Sequence, residues 1–102
     1  MENLTIKKWE AIPARSSVAE AWSPDGFDCK LWVDPPGQEW LNFRHDVDER
    51  VVVLEGHLEF EISGARSDLY PGDEVHIPAG ASHSVWNRGN TTARWLYGYK
   101  NG

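Results

Sequence analysis

The sequence of 102 residues predicts an all-β protein, a sandwich or barrel of about nine or ten short strands. Three observations carry this. Short runs alternate apolar and polar residues, as a half-buried strand requires. Gly, Pro, Asp and Asn punctuate the chain between those runs. No 11-residue window shows a convincing 3.6-residue apolar period, so no helices are available as crossovers for a parallel sheet.

In chain order, Leu4-Thr5-Ile6-Lys7 alternates and predicts an opening strand, while Ser16 to Trp22 is ambiguous between a short helical turn and a strand. Cys29 to Val33 and Trp40 to Phe43 read as two strands. Asp34-Pro35-Pro36-Gly37 separates them, because consecutive prolines cannot donate ladder hydrogen bonds. Arg50 to Glu55 and His57 to Ser63 flank Gly56, and Leu58-Glu59-Phe60-Glu61-Ile62 alternates strictly, as a strand with one wet face does. Pro71-Gly72-Asp73 makes the next turn and Glu74 to Ile77 the next strand. Pro78 to Ala81 turns into Ser82 to Trp86, and Asn87-Arg88-Gly89-Asn90 precedes the final strand, Ala93 to Tyr99.

Length predicts one domain over residues 1–102, with no internal repeat. Six tryptophans and 40% apolar residues argue for a folded core rather than disorder. A net charge of −6, with no basic cluster beyond Lys7-Lys8, gives no footprint for nucleic acid or anionic lipid. No run of about 18 apolar residues is present to cross a bilayer. Cys29 has no partner for an internal disulfide, and the N-terminus lacks the order of a secretory signal, so a soluble cytoplasmic protein is expected.

The chemistry rests on His45, Glu49 and His83. His45 and Glu49 are four apart, which in a period-two conformation turns both to one side, and a barrel can bring His83 opposite them. Two imidazoles and one carboxylate are a metal-ligand set that leaves coordination positions open. By spacing alone, His45 reads first as a hydrogen-bonded histidine beside Asp46 and Asp48 in an exposed turn, and Glu49 as a solvated charge at a strand end.

The surrounding pattern sharpens this. Gly72, Pro78, Gly80, His83 and Asn87 follow the spacing G-x5-P-x-G-x2-H-x3-N, whose chance occurrence in so short a chain is on the order of one in ten thousand or rarer. It resembles the second motif of the cupin superfamily. Upstream, Gly37, Phe43, His45, Glu49 and Gly56 resemble the first cupin motif, G-x5-H-x-H-x3-E-x6-G, except that Phe43 stands where the family has its first histidine. The two motifs cover Gly37 to Asn87, half the chain, with fifteen residues between them.

The resemblance implies a double-stranded β-helix or jelly-roll barrel of the cupin type, with His45, Glu49 and His83 holding a divalent ion, Fe, Mn, Ni or Zn. A phenyl ring does not coordinate metal, so Phe43 implies either an open three-ligand site or a decayed metal site whose pocket binds an organic ligand without metal. Two functions follow: a metal-binding protein with dioxygenase-like oxidoreductase chemistry on a small polar molecule, or a non-catalytic module that binds or senses a small ligand in a barrel lined partly by Phe43. The fold does not choose between them, and no catalytic side chain is assigned.

His57 reads as surface, and His76 is a minor candidate to replace the missing ligand. Trp40 and Trp86 neighbour the motifs and are candidate pocket residues. Cys29 reads as a small apolar strand residue. Gly56, Gly72 and Gly80 read as turn glycines, and Asn87 as a group satisfying nearby backbone. Limited core size predicts a homodimer formed through an apolar sheet face, with Leu4 to Lys7 contributing a strand.

Overall fold

The computed structural model describes residues 4–101. Among the described residues are nine strands: β1 (Lys7–Lys8), β2 (Lys30–Asp34), β3 (Glu39–Phe43), β4 (Glu49–Glu55), β5 (Leu58–Ile62), β6 (Ala65–Leu69), β7 (Asp73–Ile77), β8 (His83–Asn87) and β9 (Ala93–Tyr99). One helix, α1 (Arg15–Trp22), precedes β2 and runs into a 3₁₀ turn at Ser23–Asp25. All pairings are antiparallel, in a five-stranded sheet of order β1-β7-β4-β9-β2 and a four-stranded sheet of order β3-β8-β5-β6. This is the expected jelly-roll barrel.

The pleat sorts side chains between two cores. In β4, Val51 and Val53 enter the barrel core with Leu58, Phe60, Leu69 and Trp95, whereas Val52 faces the other way, under α1. Glu49 shares the parity of Val51 and Val53. The unbroken run Val51 to Val53 is therefore a strand covered on both faces, and it brings Glu49 inward with it.

The ambiguous stretch is helical because Val18 and Trp22, one turn apart, are both buried against Val52, Leu96 and Phe27. At eight residues α1 is too short to stand out as an apolar period. Gly98 makes its packing possible. A Cβ there would fall on the carbonyl oxygen of Asp28 and press on the Trp22 ring.

Strand β6 has little apolar alternation and was not expected from Ala65-Arg66-Ser67-Asp68-Leu69. It exists because Ser63 and Gly64, with φ of 49° and 88°, make a two-residue hairpin that returns the chain along β5. At the N-terminus, β1 pairs with β7 of its own chain, Lys7 with Glu74 and Lys8 with Asp73, and Leu4 donates its N–H to Ser67 Oγ at 2.9 Å. The segment expected to reach a partner is thus engaged within the chain. No helix among the described residues is long and apolar enough to cross a membrane.

Candidate metal centre

The site forms where β3, β4, β8 and β9 meet. His83 opens β8 and Glu49 opens β4, both buried. His45 lies between β3 and β4 and not on a strand, so a shared strand face does not align it with Glu49. Its backbone is held instead from the second motif: Gly80 N–H donates to the His45 carbonyl at 2.8 Å, and Arg44 Nη1 donates to the Gly80 carbonyl at 3.1 Å. Gly80 adopts φ +79°, which favours glycine in this turn.

Donor atoms of His45, Glu49 and His83 all lie within 4.8 Å of one another. Glu49 Oε1 stands 3.5 Å from His45 Nε2 and 3.7 Å from His83 Nε2, yet it is buried with no hydrogen-bond partner among the described residues. Burial pushes its carboxyl up to about 7. His83 donates from Nδ1 to the Ala81 carbonyl at 3.3 Å, which fixes the ring and leaves Nε2 facing Glu49. Burial holds this imidazole below its ordinary pKa, so it stays neutral and able to ligate.

The two Glu49–imidazole distances, 3.5 and 3.7 Å, fit a divalent ion held between these residues. Bonds of about 2.0–2.2 Å set the donors of one ion roughly 3 to 4.4 Å apart, and a cation supplies the partner that Glu49 Oε1 lacks. Tyr99 sits beside the group with its hydroxyl 3.4 Å from His45 Nε2. Burial, reinforced by Glu49, pushes that phenol up to about 12, so it keeps its proton.

The triad closes one end of a cavity of about 200 Å³. Aromatic rings encircle it. From His83 the ring centroids run to Phe43 at 6.3 Å, Trp40 at 6.0 Å, Trp32 at 5.8 Å and Tyr97 at 6.2 Å, and return through Tyr99 at 5.7 Å and His45 at 4.9 Å to His83 at 5.0 Å. A bulge in β3 makes this circuit possible. Trp40 pairs with Val85 and Phe43 with His83, so two residues on β3 oppose the single Ser84. Asn42 takes φ 58° and donates its N–H to Ser84 Oγ at 2.9 Å. In a regular strand, residues three apart such as Trp40 and Phe43 would point to opposite faces; the bulge brings both to one.

Asp34, assigned only to a turn by the sequence, ends β2 as a buried carboxylate. Its oxygens accept the indole N–H of Trp32 at 2.7 Å, of Trp40 at 3.2 Å and of Trp95 at 3.1 Å. The signal lay in tryptophans far apart in the chain, with nothing local to join them.

His76 does not replace the missing ligand. Val75 and Ile77 enter the barrel core, and alternation sends His76 outward to Asp48 Oδ2 at 3.1 Å and onto the Phe27 ring. The Ala79 N–H, at 2.8 Å from Asp48, is the main cause that holds this carboxyl below its ordinary range. Trp86 also lies outside the cavity, between the guanidinium groups of Arg66 and Arg88. His57 is half-buried, stacked on Tyr70 and bonded to Asp68. Asn87 does satisfy backbone, donating to the carbonyls of Pro35 and Thr91 and accepting from Gly89 N–H.

A jelly-roll barrel with this cluster at its mouth defines a class, and comparison with known proteins agrees. Residues 30–99 match the family model described as "Cupin domain". The chain belongs to the cupin family. A segment of 60 residues is 37% identical to quercetin 2,3-dioxygenase of Bacillus subtilis, covering 59% of this chain and 18% of that protein. The chain thus spans less than a fifth of this curated relative. Among solved structures, a cupin 2 domain-containing protein from Halorhodospira halophila superposes with a TM-score of 0.70 at 22% identity, over 95% of this chain and 63% of the other. An oxalate oxidase in complex with the substrate analogue glycolate gives 0.68 at 22% identity, over 74% and 42%. These two establish the fold.

Proposed function

We propose that this protein is a metal-binding cupin in which His45, Glu49 and His83 hold a divalent ion, Fe, Mn, Ni or Zn, with a small molecule seated against it, and that its chemistry is of the oxidoreductase, dioxygenase-like class. The observation that carries this reading is the buried, partnerless Glu49 Oε1 between two imidazoles. The identity with a quercetin dioxygenase segment supports the reaction class. Such an ion supplies open coordination positions at which a substrate oxygen or dioxygen is polarised. The chain's own residues do the rest: the aromatic belt walls the cavity beside the triad, and Tyr99 keeps a protonated hydroxyl beside His45.

Phe43 favours a second reading, a non-catalytic module that binds or senses a small ligand, since the ring occupies the position of a motif ligand and faces the cavity. Around either reading we place residues 1–102 in one cupin domain, in a cytoplasmic setting supported by the lone Cys29, with pairing into a homodimer.

Metal content by plasma mass spectrometry separates the readings. The expected result is one ion per chain in the untagged protein, lost in His83→Ala and in Glu49→Gln. No ion after incubation with Fe, Mn, Ni and Zn excludes the metal-dependent reading and leaves the ligand-binding module.

A further inference from the structure

The cavity wall has a property that a site for a small polar solute would not need. Of the polar side chains lining it, His45, Glu49, His83 and Tyr99 gather at the triad end, and Tyr97, between Trp32 and Tyr99, adds one further hydroxyl. Along the wall, the three indoles of Trp32, Trp40 and Trp95 have spent their only hydrogen-bond donors on Asp34. What they turn to the cavity is ring surface and C–H edge. Phe43, which carries no polar atom at all, extends that wall to His83.

From this we infer that the occupant is a planar aromatic molecule, lying against the wall of Phe43, Trp40 and Trp32 with an oxygen-bearing edge at the triad, and that Asp34 is the residue that positions the wall. This deepens the proposed function and rests on it for the orientation at the triad. About 200 Å³ is below the roughly 300–1,000 Å³ of drug-sized sites, so one or two fused rings fit. Trp32 and Phe43 are 38% and 40% exposed, which leaves the aromatic side open to entry. Indole and phenyl groups favour offset or edge-to-face contacts with a flat ring, a preference a saturated ring of the same skeleton does not satisfy. On this account Phe43 is part of the ligand wall rather than the remnant of a lost metal ligand.

Asp34 acts through the indoles. One carboxylate serves three N–H donors with two oxygens, whereas an asparagine offers one oxygen and turns a second donor toward the indoles. Asp34→Asn therefore releases at least one ring from its place.

The test uses a matched pair of probes, 2-naphthol and its saturated counterpart decahydro-2-naphthol. Each is titrated by calorimetry into the full chain, metal-free and zinc-loaded, with the indole N–H resonances followed by NMR. The expected result is binding of 2-naphthol about tenfold tighter than the saturated probe, the factor that one or two ring contacts supply, with shifts at Trp32, Trp40 and Trp95 and none at Trp86. Phe43→Leu and Asp34→Asn should each bring the ratio of affinities at least threefold closer to one. Should Asp34→Asn fail to fold, Trp32→Leu, at the exposed mouth, gives the same readout. Equal affinities for the two probes in the unaltered chain, or a ratio unchanged in the folded variants, overturns the inference. Ion binding is scored separately: a ratio of ten without any ion retains the wall and removes the metal reading, and an ion with a ratio of one does the reverse.

Discussion

Burial keeps the Glu49 carboxyl protonated to about pH 7 in the metal-free fold, against 4.5 for the ordinary side chain. Between those values the unfolded chain releases a proton that the native chain holds, so this group's contribution to stability falls as pH rises. A difference of that size corresponds to roughly 3 kcal/mol. His83 works in the opposite sense, because its imidazole is held neutral in the fold and charges on unfolding as pH drops below 6.5. Glu49→Gln isolates the first effect. The metal-free wild type should lose stability relative to Glu49→Gln by about 3 kcal/mol between pH 4.5 and 7.5, measured by urea unfolding. Equal pH profiles would show that Glu49 titrates normally. With zinc bound the slope should reverse, since protons then compete with the ion for the same ligands. His45, Glu49 and His83 were legible because a spaced motif survives in one dimension. Asp34 was not, because its three donors come from Trp32, Trp40 and Trp95, which meet only in the fold.

The β3 bulge turns one local irregularity into the shape of the cavity. Asn42 stands in the left-handed region at φ 58°, where a residue with a Cβ is held at a cost and glycine is not. Asn42→Gly should be close to neutral and Asn42→Val should destabilise by about 1–2 kcal/mol in urea unfolding. If valine is tolerated as well as glycine, the bulge is not held by this backbone conformation. Most elements were readable from alternation. Strand β5 appears with its sequence-predicted core of Leu58, Phe60 and Ile62, all buried, and β9 extends over its full predicted range. The elements that were not readable lack that signal. In β6 the residues are mostly polar and the pairing is dictated by the Ser63-Gly64 turn, and α1 presents only Val18 and Trp22 to the core. The bulge was hidden because alternation assumes a regular strand. Placing Trp40 and Phe43 on one face requires knowledge of the partner, Ser84.

Two strands remain with one edge unpaired near the cavity mouth, β2 at the end of the five-stranded sheet and β3 at the end of the four-stranded one. Exposed edges are templates for pairing, and soluble proteins protect them or use them. Here Val33 on β2 and Leu41 on β3 are 46% and 47% exposed, and both alternate away from the cavity-facing Trp32 and Trp40. The N-terminal segment is spent on β7 within the chain, so the homodimer proposed above would pair through the β2 and β3 edges. A standard interface removes about 800 Å² per partner, a modest share of the 5739 Å² that one chain exposes. Sedimentation equilibrium should therefore give a mass twice the 11.6 kDa of one chain. Leu41→Arg places an unpaired charge on that edge and should return the mass to one chain while leaving ion binding unchanged, since Leu41 does not face the triad. A wild-type mass of one chain rules out pairing, and a dimer that persists in Leu41→Arg places the interface away from the β2 and β3 edges.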